Sequence, residues 1–287
     1  MSSHLWKVVY QSIRSVDRTV VRSGRRPCFA DTLIVAMYLW SVWHDRPLCW
    51  AAQRTSYSSL FRPRRLPSRS QFCRRIKSPR CMALLRGVCA RLAECDDNDE
   101  VRMTFLDGRA LRVQSHSKDP DAKSGHAPGG FARGYKLHAL ARKNGRFLGI
   151  RVTPLNVAEK RVAEELIEAH RPQGLLLADG NYDSGRLYDY AWARGVILMT
   201  PLRKNAGSGH RPQSSARMFA KKLWAYGGEP LYRLRRAIER YFGQLSAFGG
   251  GLSPLPAWVR RLDRVERWVL GKITIYHARL CIRTGVA

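Results

Sequence analysis

The chain changes its hydrophobic period once, near residue 100, and that change limits what it can fold into. Up to about residue 95 the pattern is helical throughout. Asp31–Trp43 carries Leu33, Ile34, Met37, Tyr38, Leu39 and Trp40, with Asp31 as its expected N-cap. Further helices are predicted over Leu48–Ser56, from the N-cap Ser68 through Ile76, and from about Cys81 to Leu92. The acidic run Cys95-Asp96-Asp97-Asn98-Asp99-Glu100 is poor in apolar residues and marks a boundary. Beyond it Val101–Asp107 alternates like a strand. Gly134–Arg142 and Arg146–Thr153 do the same around the turn Lys143-Asn144-Gly145. Ala158–His170 has helical spacing, and Gly174–Ala178 is a short apolar run suited to a strand covered on both faces. A helix over Ser184–Arg194, a strand over Val196–Thr200 and a basic connection over Arg203–Glu229 follow. Strong helices are predicted over Leu231–Phe248 and Trp258–Leu280. This order describes an α/β domain over residues 101–287, a mixed sheet with flanking helices, preceded by an all-α domain over residues 1–95.

Charge narrows the partners. Fifty-one Lys and Arg face 22 Asp and Glu, a formal net charge of +29. Such an excess repels itself unless it meets a polyanion, and nucleic acid is the default; membrane phosphate or ribosomal RNA also fit. Residues 1–95 hold 18 basic and 4 acidic residues, so the excess is spread along the chain rather than confined to a tail. No secretory leader is visible in Met1–Tyr10, and Thr32–Trp43, the best apolar stretch, is too short to span a bilayer. A cytoplasmic, nucleoid-associated protein without a membrane partner is expected. The seven cysteines form no Cys-x-x-Cys pair. Reduced thiols are the simpler reading, and a zinc site completed by distant His is the alternative.

Against this basic background the few acidic residues are informative. Asp107 closes the first predicted strand in Phe105-Leu106-Asp107-Gly108, and Asp179 closes the buried one in Leu177-Ala178-Asp179-Gly180. Strand ends of an open sheet border the crevice where catalytic groups collect. In Leu231–Phe248 the predicted apolar stripe is Leu231, Leu234, Ile238, Tyr241 and Leu245, and Glu239 lies on its shoulder. Three carboxylates brought together repel one another unless cations intervene, and hard oxygen ligands suit Mg²⁺ or Mn²⁺. Two such ions, roughly 3.5–4 Å apart, activate water and stabilise the leaving oxygen of a phosphodiester. Each residue also has a plainer reading: Asp-Gly as a turn, Glu239 as a solvated ion-pair partner.

Several blocks in order resemble the DDE transposases of bacterial insertion sequences, in the group with a Tyr-x-x-Arg-x-x-x-Glu-x(6)-Lys signature. Tyr232, Arg235 and Glu239 match its first three positions, and Ser246 stands at the Lys position. Phe105–Gly108 and Asp179-Gly180-Asn181-Tyr182-Asp183-Ser184 resemble the two Asp blocks. Gly134-Tyr135-Lys136-Leu137-His138 and Thr153-Pro154-Leu155-Asn156 resemble the segments between them. The resemblance covers about residues 101–248. It implies a ribonuclease-H-like catalytic domain, with which the element order is compatible. It also implies two divalent ions held by Asp107, Asp179 and Glu239, and hydrolysis followed by strand transfer of DNA 3′-hydroxyls. Tyr232 and Arg235 become phosphate contacts, with core packing and a surface ion pair as their plainer roles. The expected partners are double-stranded DNA, as element ends and target, and a second copy of the chain in the DNA complex. A DNA-binding repressor derived from a transposase and a nuclease without strand transfer are the alternatives. Only 59 residues separate Asp179 from Glu239, too few for the large β insertion of some relatives, which leaves a hairpin intermediate open.

Outside the triad, Arg69, Arg74 and Arg75 on the Ser68–Ile76 helix offer forked donors to phosphates or base edges. With Leu48–Ser56 they suggest a helix-turn-helix with a long turn; a solvated face or a dimer surface would look the same. Lys136 is a further candidate DNA contact, and Lys118–Arg133 reads as a loop near the site. His138 reads as structural. Trp224 suits either base stacking or local packing.

Overall fold

The computed structural model describes residues 2–19, 27–94, 102–201 and 214–285, and their contacts fall into two units. One comprises Met1–Asp97, Leu245–Leu252 and Pro256–Ala287; the other comprises Asn98–Gln244 and Ser253–Leu255. The predicted boundary run at residues 95–100 lies outside the described residues.

The first unit is helical. It begins with α1 (Ser3–Thr19), which buries Leu5, Trp6, Val9 and Ile13 on one face, inside the stretch whose pattern is helical but where the sequence bounds no individual helix. Next come α2 (Asp31–Trp43), α3 (Leu48–Ala51), α4 (Arg69–Ile76) and α5 (Pro79–Glu94). The cap of α2 differs from the expectation. Ala30 occupies the N-cap without a side-chain bond, and Asp31 lies in the first turn. Its carboxylate instead takes Arg75 at 2.5 Å and the Cys81 thiol at 3.2 Å. The predicted Leu48–Ser56 helix is one short α turn followed by a 3-10 turn over Arg54–Ser56, with Gln53 in extended backbone between them. The helix-turn-helix therefore lacks a full first helix. Ser68 caps α4 as predicted, through a reciprocal capping box with Gln71.

The second unit carries one sheet: β1 (Met103–Arg112), β2 (Lys123–Ala127), β3 (Gly130–Arg142), β4 (Phe147–Pro154), β5 (Gly174–Ala178) and β6 (Val196–Met199). β3 pairs antiparallel with β1 on one side, and on the other with β2 along Gly130–Gly134 and β4 along Tyr135–Ala141. β5 and β6 continue from β1 in parallel. Without β2, the order is β4-β3-β1-β5-β6, the ribonuclease-H-like arrangement. Its helices are α6 (Glu159–His170), α7 (Gly185–Trp192), α8 (Ser215–Leu223), α9 (Glu229–Arg233) and α10 (Arg236–Ser246). The even positions of β1 and β3, such as Leu106 and Leu140, join a core with Val162, Leu166 and Tyr188 from α6 and α7. Phe105, of opposite parity, meets Tyr241 of α10.

Three expectations need correction in this unit. β1 does not stop at Asp107, because pairing with β3 carries it on to Arg112. The Lys118–Arg133 segment contains β2, held by its ladder to β3. The Leu231–Phe248 helix is broken at Leu234 and Arg235, where i→i+3 bonds tighten the chain. That tightening rotates the apolar stripe, so Leu231 and Leu234 are exposed while Ile238, Tyr241 and Leu245 are buried.

The chain then returns to the helical unit through α11 (Leu262–Arg283), which packs on α1, α2 and α5. It starts after Trp258 rather than at it, and it buries Arg267. Among the described residues no helix is long and apolar enough to cross a membrane. Six described cysteines carry free thiols, and burial pushes Cys81 up to about 11 and Cys89 up to about 12.

Candidate active site

Two carboxylates are placed by the sheet itself. Leu106 of β1 is the register partner of Ala178 of β5, and the next residue on each of these parallel strands is Asp107 and Asp179. Neighbouring strands lie about 4.8 Å apart, so the ladder brings the two acids side by side. Asp107 sits inside β1 opposite Ala139, not in a turn. Gly108 is explained by packing: a Cβ there would come within 3.1 Å of Glu159 Oε1 and 3.2 Å of Lys136 Cδ. Asp179 caps a 3-10 turn, accepting hydrogen bonds from the Asn181 backbone N–H at 2.9 Å and its side-chain amide at 3.2 Å.

The third acid comes with the broken helix. The turn at Leu234–Arg235 aims the Arg235 guanidinium at both flanking carboxylates. It donates to Asp107 Oδ2 at 2.9 Å and to Glu239 Oε1 at 3.4 Å. Asp107 is 13% exposed, whereas Glu239 is 63% exposed and extends from α10 toward solvent. Burial pushes the Asp107 carboxyl up to about 6. Arg235 and the Gly108 N–H pull it down, and the charges of Asp179 and Glu159 add to the rise. Beside Glu239 opens a cavity of about 620 Å³, bordered by Tyr232, Arg235, Arg236 and Trp224. Trp224 packs against Tyr232 with ring centroids 5.2 Å apart and also borders this cavity.

Two groups near these acids were not singled out by sequence reasoning. Glu159, in the first turn of α6, binds Lys136 at 2.5 Å and contributes its charge to the surroundings of Asp107. Its position at a helix start after Thr153–Asn156 is the only sequence signal that marks it. Tyr182 is buried, its hydroxyl has no hydrogen-bond partner, and burial followed by the charges of Glu159, Asp107 and Asp179 holds its phenol protonated. Asp183, in the same block, serves the scaffold. It forms a buried pair with Arg217 of α8 at 2.8 and 3.1 Å.

The remaining candidates divide by their partners. Lys136 is paired with Glu159, and Arg75 with Asp31. Arg69 and Arg74 are exposed and, among the described residues, have no carboxylate partner. His138 is buried with Nε2 2.9 Å from Thr153 Oγ1; burial and then Lys136 push it down to about 3, so it stays neutral and structural.

The donor set is hard oxygen, which suits Mg²⁺ or Mn²⁺. Among the described residues no three His, Cys, Asp or Glu side chains are drawn closely enough together to hold a metal ion. The Arg235 guanidinium occupies the position of positive charge between Asp107 and Glu239. The acids fit a cation in kind, because Asp107 is a buried carboxyl whose ionisation a cation would favour.

A family model of the transposase DDE domain matches residues 102–276. Among solved structures the chain is similar to a piggyBac transposase synaptic complex with hairpin DNA, at 10% identity and a TM-score of 0.45. That alignment covers 99% of this chain and 74% of the other. The Mos1 mariner paired-end complex with Mn is similar at 14% identity and a TM-score of 0.27, covering 82% and 84%. No curated protein matches.

Proposed function

This chain belongs to the DDE transposase family, and from that premise we propose that Asp107, Asp179 and Glu239 hold two divalent ions, Mg²⁺ or Mn²⁺, for cutting and joining DNA at the ends of an insertion sequence. The observation that carries the reading is the register of β1 on β5, which sets Asp107 beside Asp179, together with the Arg235 bridge from Asp107 to Glu239. When bound, the ions supply activation of water and stabilisation of the leaving oxygen. The chain's own residues do the rest. Asp107 and Asp179 are fixed by the sheet and set the position of the site. Glu239 reaches it from α10 by turning inward from its exposed rotamer. Arg235, released from the acids, binds a phosphate by its forked donors beside Tyr232.

Arg69 and Arg74 on α4 provide further phosphate contacts, since no carboxylate competes for them. Lys136 and Arg75 join them only by leaving their acidic partners. The protein acts as a homodimer on paired element ends, in the cytoplasm on nucleoid DNA, and its helical unit binds that DNA. Incubation with DNA carrying the element's ends and Mg²⁺ tests the reading. Cleavage followed by joining is the expected result. Cleavage alone would make it a nuclease, and a mobility shift without cleavage a DNA-binding repressor.

A further inference from the structure

The helical unit contains a cavity of about 160 Å³ between α2, α3, α4, residues 258–259 and the start of α11. Four arginines line it, Arg46, Arg69, Arg264 and Arg267, and no Asp or Glu does. Arg267 is 4% exposed and reaches one carboxylate, Asp263, at 3.3 Å. Asp263 is itself 58% exposed, so water screens the charge it offers to Arg267. Arg46, Arg69 and Arg264 form no ion pair among the described residues, although the Arg46 charge acts on the neighbouring Asp45. Arg264 donates to the Trp258 carbonyl at 3.0 Å, which uses one of its five N–H groups.

A second observation points the same way. Trp268 is 3% exposed, and its indole Nε1–H has no hydrogen-bond partner. Buried indole N–H groups are ordinarily satisfied, so this unmet one, on a residue of the cavity wall, is a donor left for an acceptor. The Tyr38 hydroxyl, kept protonated by burial, lies beside Arg267 in the same wall. Guanidinium and indole groups donate and cannot accept. The only side-chain oxygens in the wall are the Tyr38 and Ser41 hydroxyls, against four guanidiniums, so a tetrahedral oxyanion, which presents acceptors only, fits better than a nucleobase edge. The volume is several times the roughly 30 Å³ share of a water and close to that of a cavity known to admit a benzene-sized guest.

We propose that this cavity is a phosphate site that takes a backbone phosphate of the DNA bound by the protein. The choice of DNA as the source rests on the transposase reading. Arg69 also supports it, because α4 carries this residue at the cavity mouth and Arg74 on its exposed surface.

The test uses the full chain with duplex DNA in EDTA, so that the carboxylate site plays no part. Anisotropy across a salt series is compared for the wild type, Arg264→Gln, Arg46→Gln and Arg86→Gln, an exposed control on α5. All three altered side chains are exposed, and thermal melting checks that each variant folds. The expected result is weaker binding to all sequences for Arg264→Gln and Arg46→Gln, with the salt slope reduced by about one for each. Inorganic phosphate should compete with DNA on the wild type and lose that effect in Arg264→Gln. Variants that bind DNA like Arg86→Gln, with no effect of phosphate on tryptophan fluorescence, overturn the site. A phosphate-induced change in tryptophan fluorescence with unaltered DNA affinity in the variants overturns DNA as the source. DNA binding that keeps its dependence on Arg264 while Asp179→Ala still cuts would sink the metal-site reading and leave this one standing.

Discussion

At Asp107 the cost of burying a carboxylate is set against one guanidinium, Arg235, at 2.9 Å. A lone arginine shared with Glu239 leaves the carboxyl pushed up to about 6. Asp183 has the opposite character: its partner Arg217 is buried too, and both of the Asp183 oxygens are bonded. Asp183→Ala leaves that guanidinium unpaired, and a loss of about 3–5 kcal/mol is expected in urea unfolding. A loss within about 0.5 kcal/mol would show the pair to be dispensable. Lys272 offers a pH test. Burial lowers it to about 8, with Asp45 opposing, while its ammonium donates to the Phe248 carbonyl at 2.8 Å and to that of Gly249. Between pH 8 and the ordinary value of 10.5 the folded state has lost this proton and the unfolded state has kept it. Stability therefore rises with pH across that window. Relative to Lys272→Met, the wild type should gain on the order of 3 kcal/mol from this group between pH 8 and 10.5. A difference that stays flat with pH would show that Lys272 is not perturbed.

At the scale of elements, α4 is the clearest case of a helix written in local chemistry. Ser68 and Gln71 cap it reciprocally, and Ser68→Ala should cost about 1 kcal/mol, measurable by thermal or chemical melting. Ser-x-x-Gln ahead of an apolar pair is visible in the sequence, and so are the hairpin turn at Lys143–Gly145, the buried run of β5 and the Ser68 cap. Asp107 could be read from the sequence as a candidate site residue but not as a mid-strand one. A strand's length depends on its partner, and the partner of Asp107 is Ala139, 32 positions away. The break at Leu234–Arg235 was hidden for a related reason. Leu231, Leu234 and Ile238 have the spacing of a continuous helix, and only the tightened turn sends the first two to solvent. α3 shortened because Gln53 adopts extended backbone, which composition does not announce. Glu159 belongs to no motif spacing, and Tyr182, though inside the second Asp block, has no charge to mark it; the fold gathers both around Asp107 and Asp179.

At the scale of the whole molecule, +29 of formal charge is spread over both halves, and Arg69, Arg74, Arg46 and Arg264 of the helical unit form no ion pair with a described carboxylate. DNA affinity should accordingly fall steeply with salt. If six to ten phosphates are contacted, the loss is about 10³–10⁵ between 50 and 200 mM. Near-constant affinity over that range would remove the basic surfaces from the account. The central claim is that Asp107, Asp179 and Glu239 form one metal-dependent cutting site, and strand cutting by wild type and Asp179→Ala, read beside DNA binding by each, tests it most directly. The wild type should cut element-end DNA with Mg²⁺ or Mn²⁺ and stop when EDTA is added, while Asp179→Ala binds the same DNA and leaves it whole. Undiminished cutting by Asp179→Ala, or cutting by the wild type in EDTA, would contradict the claim.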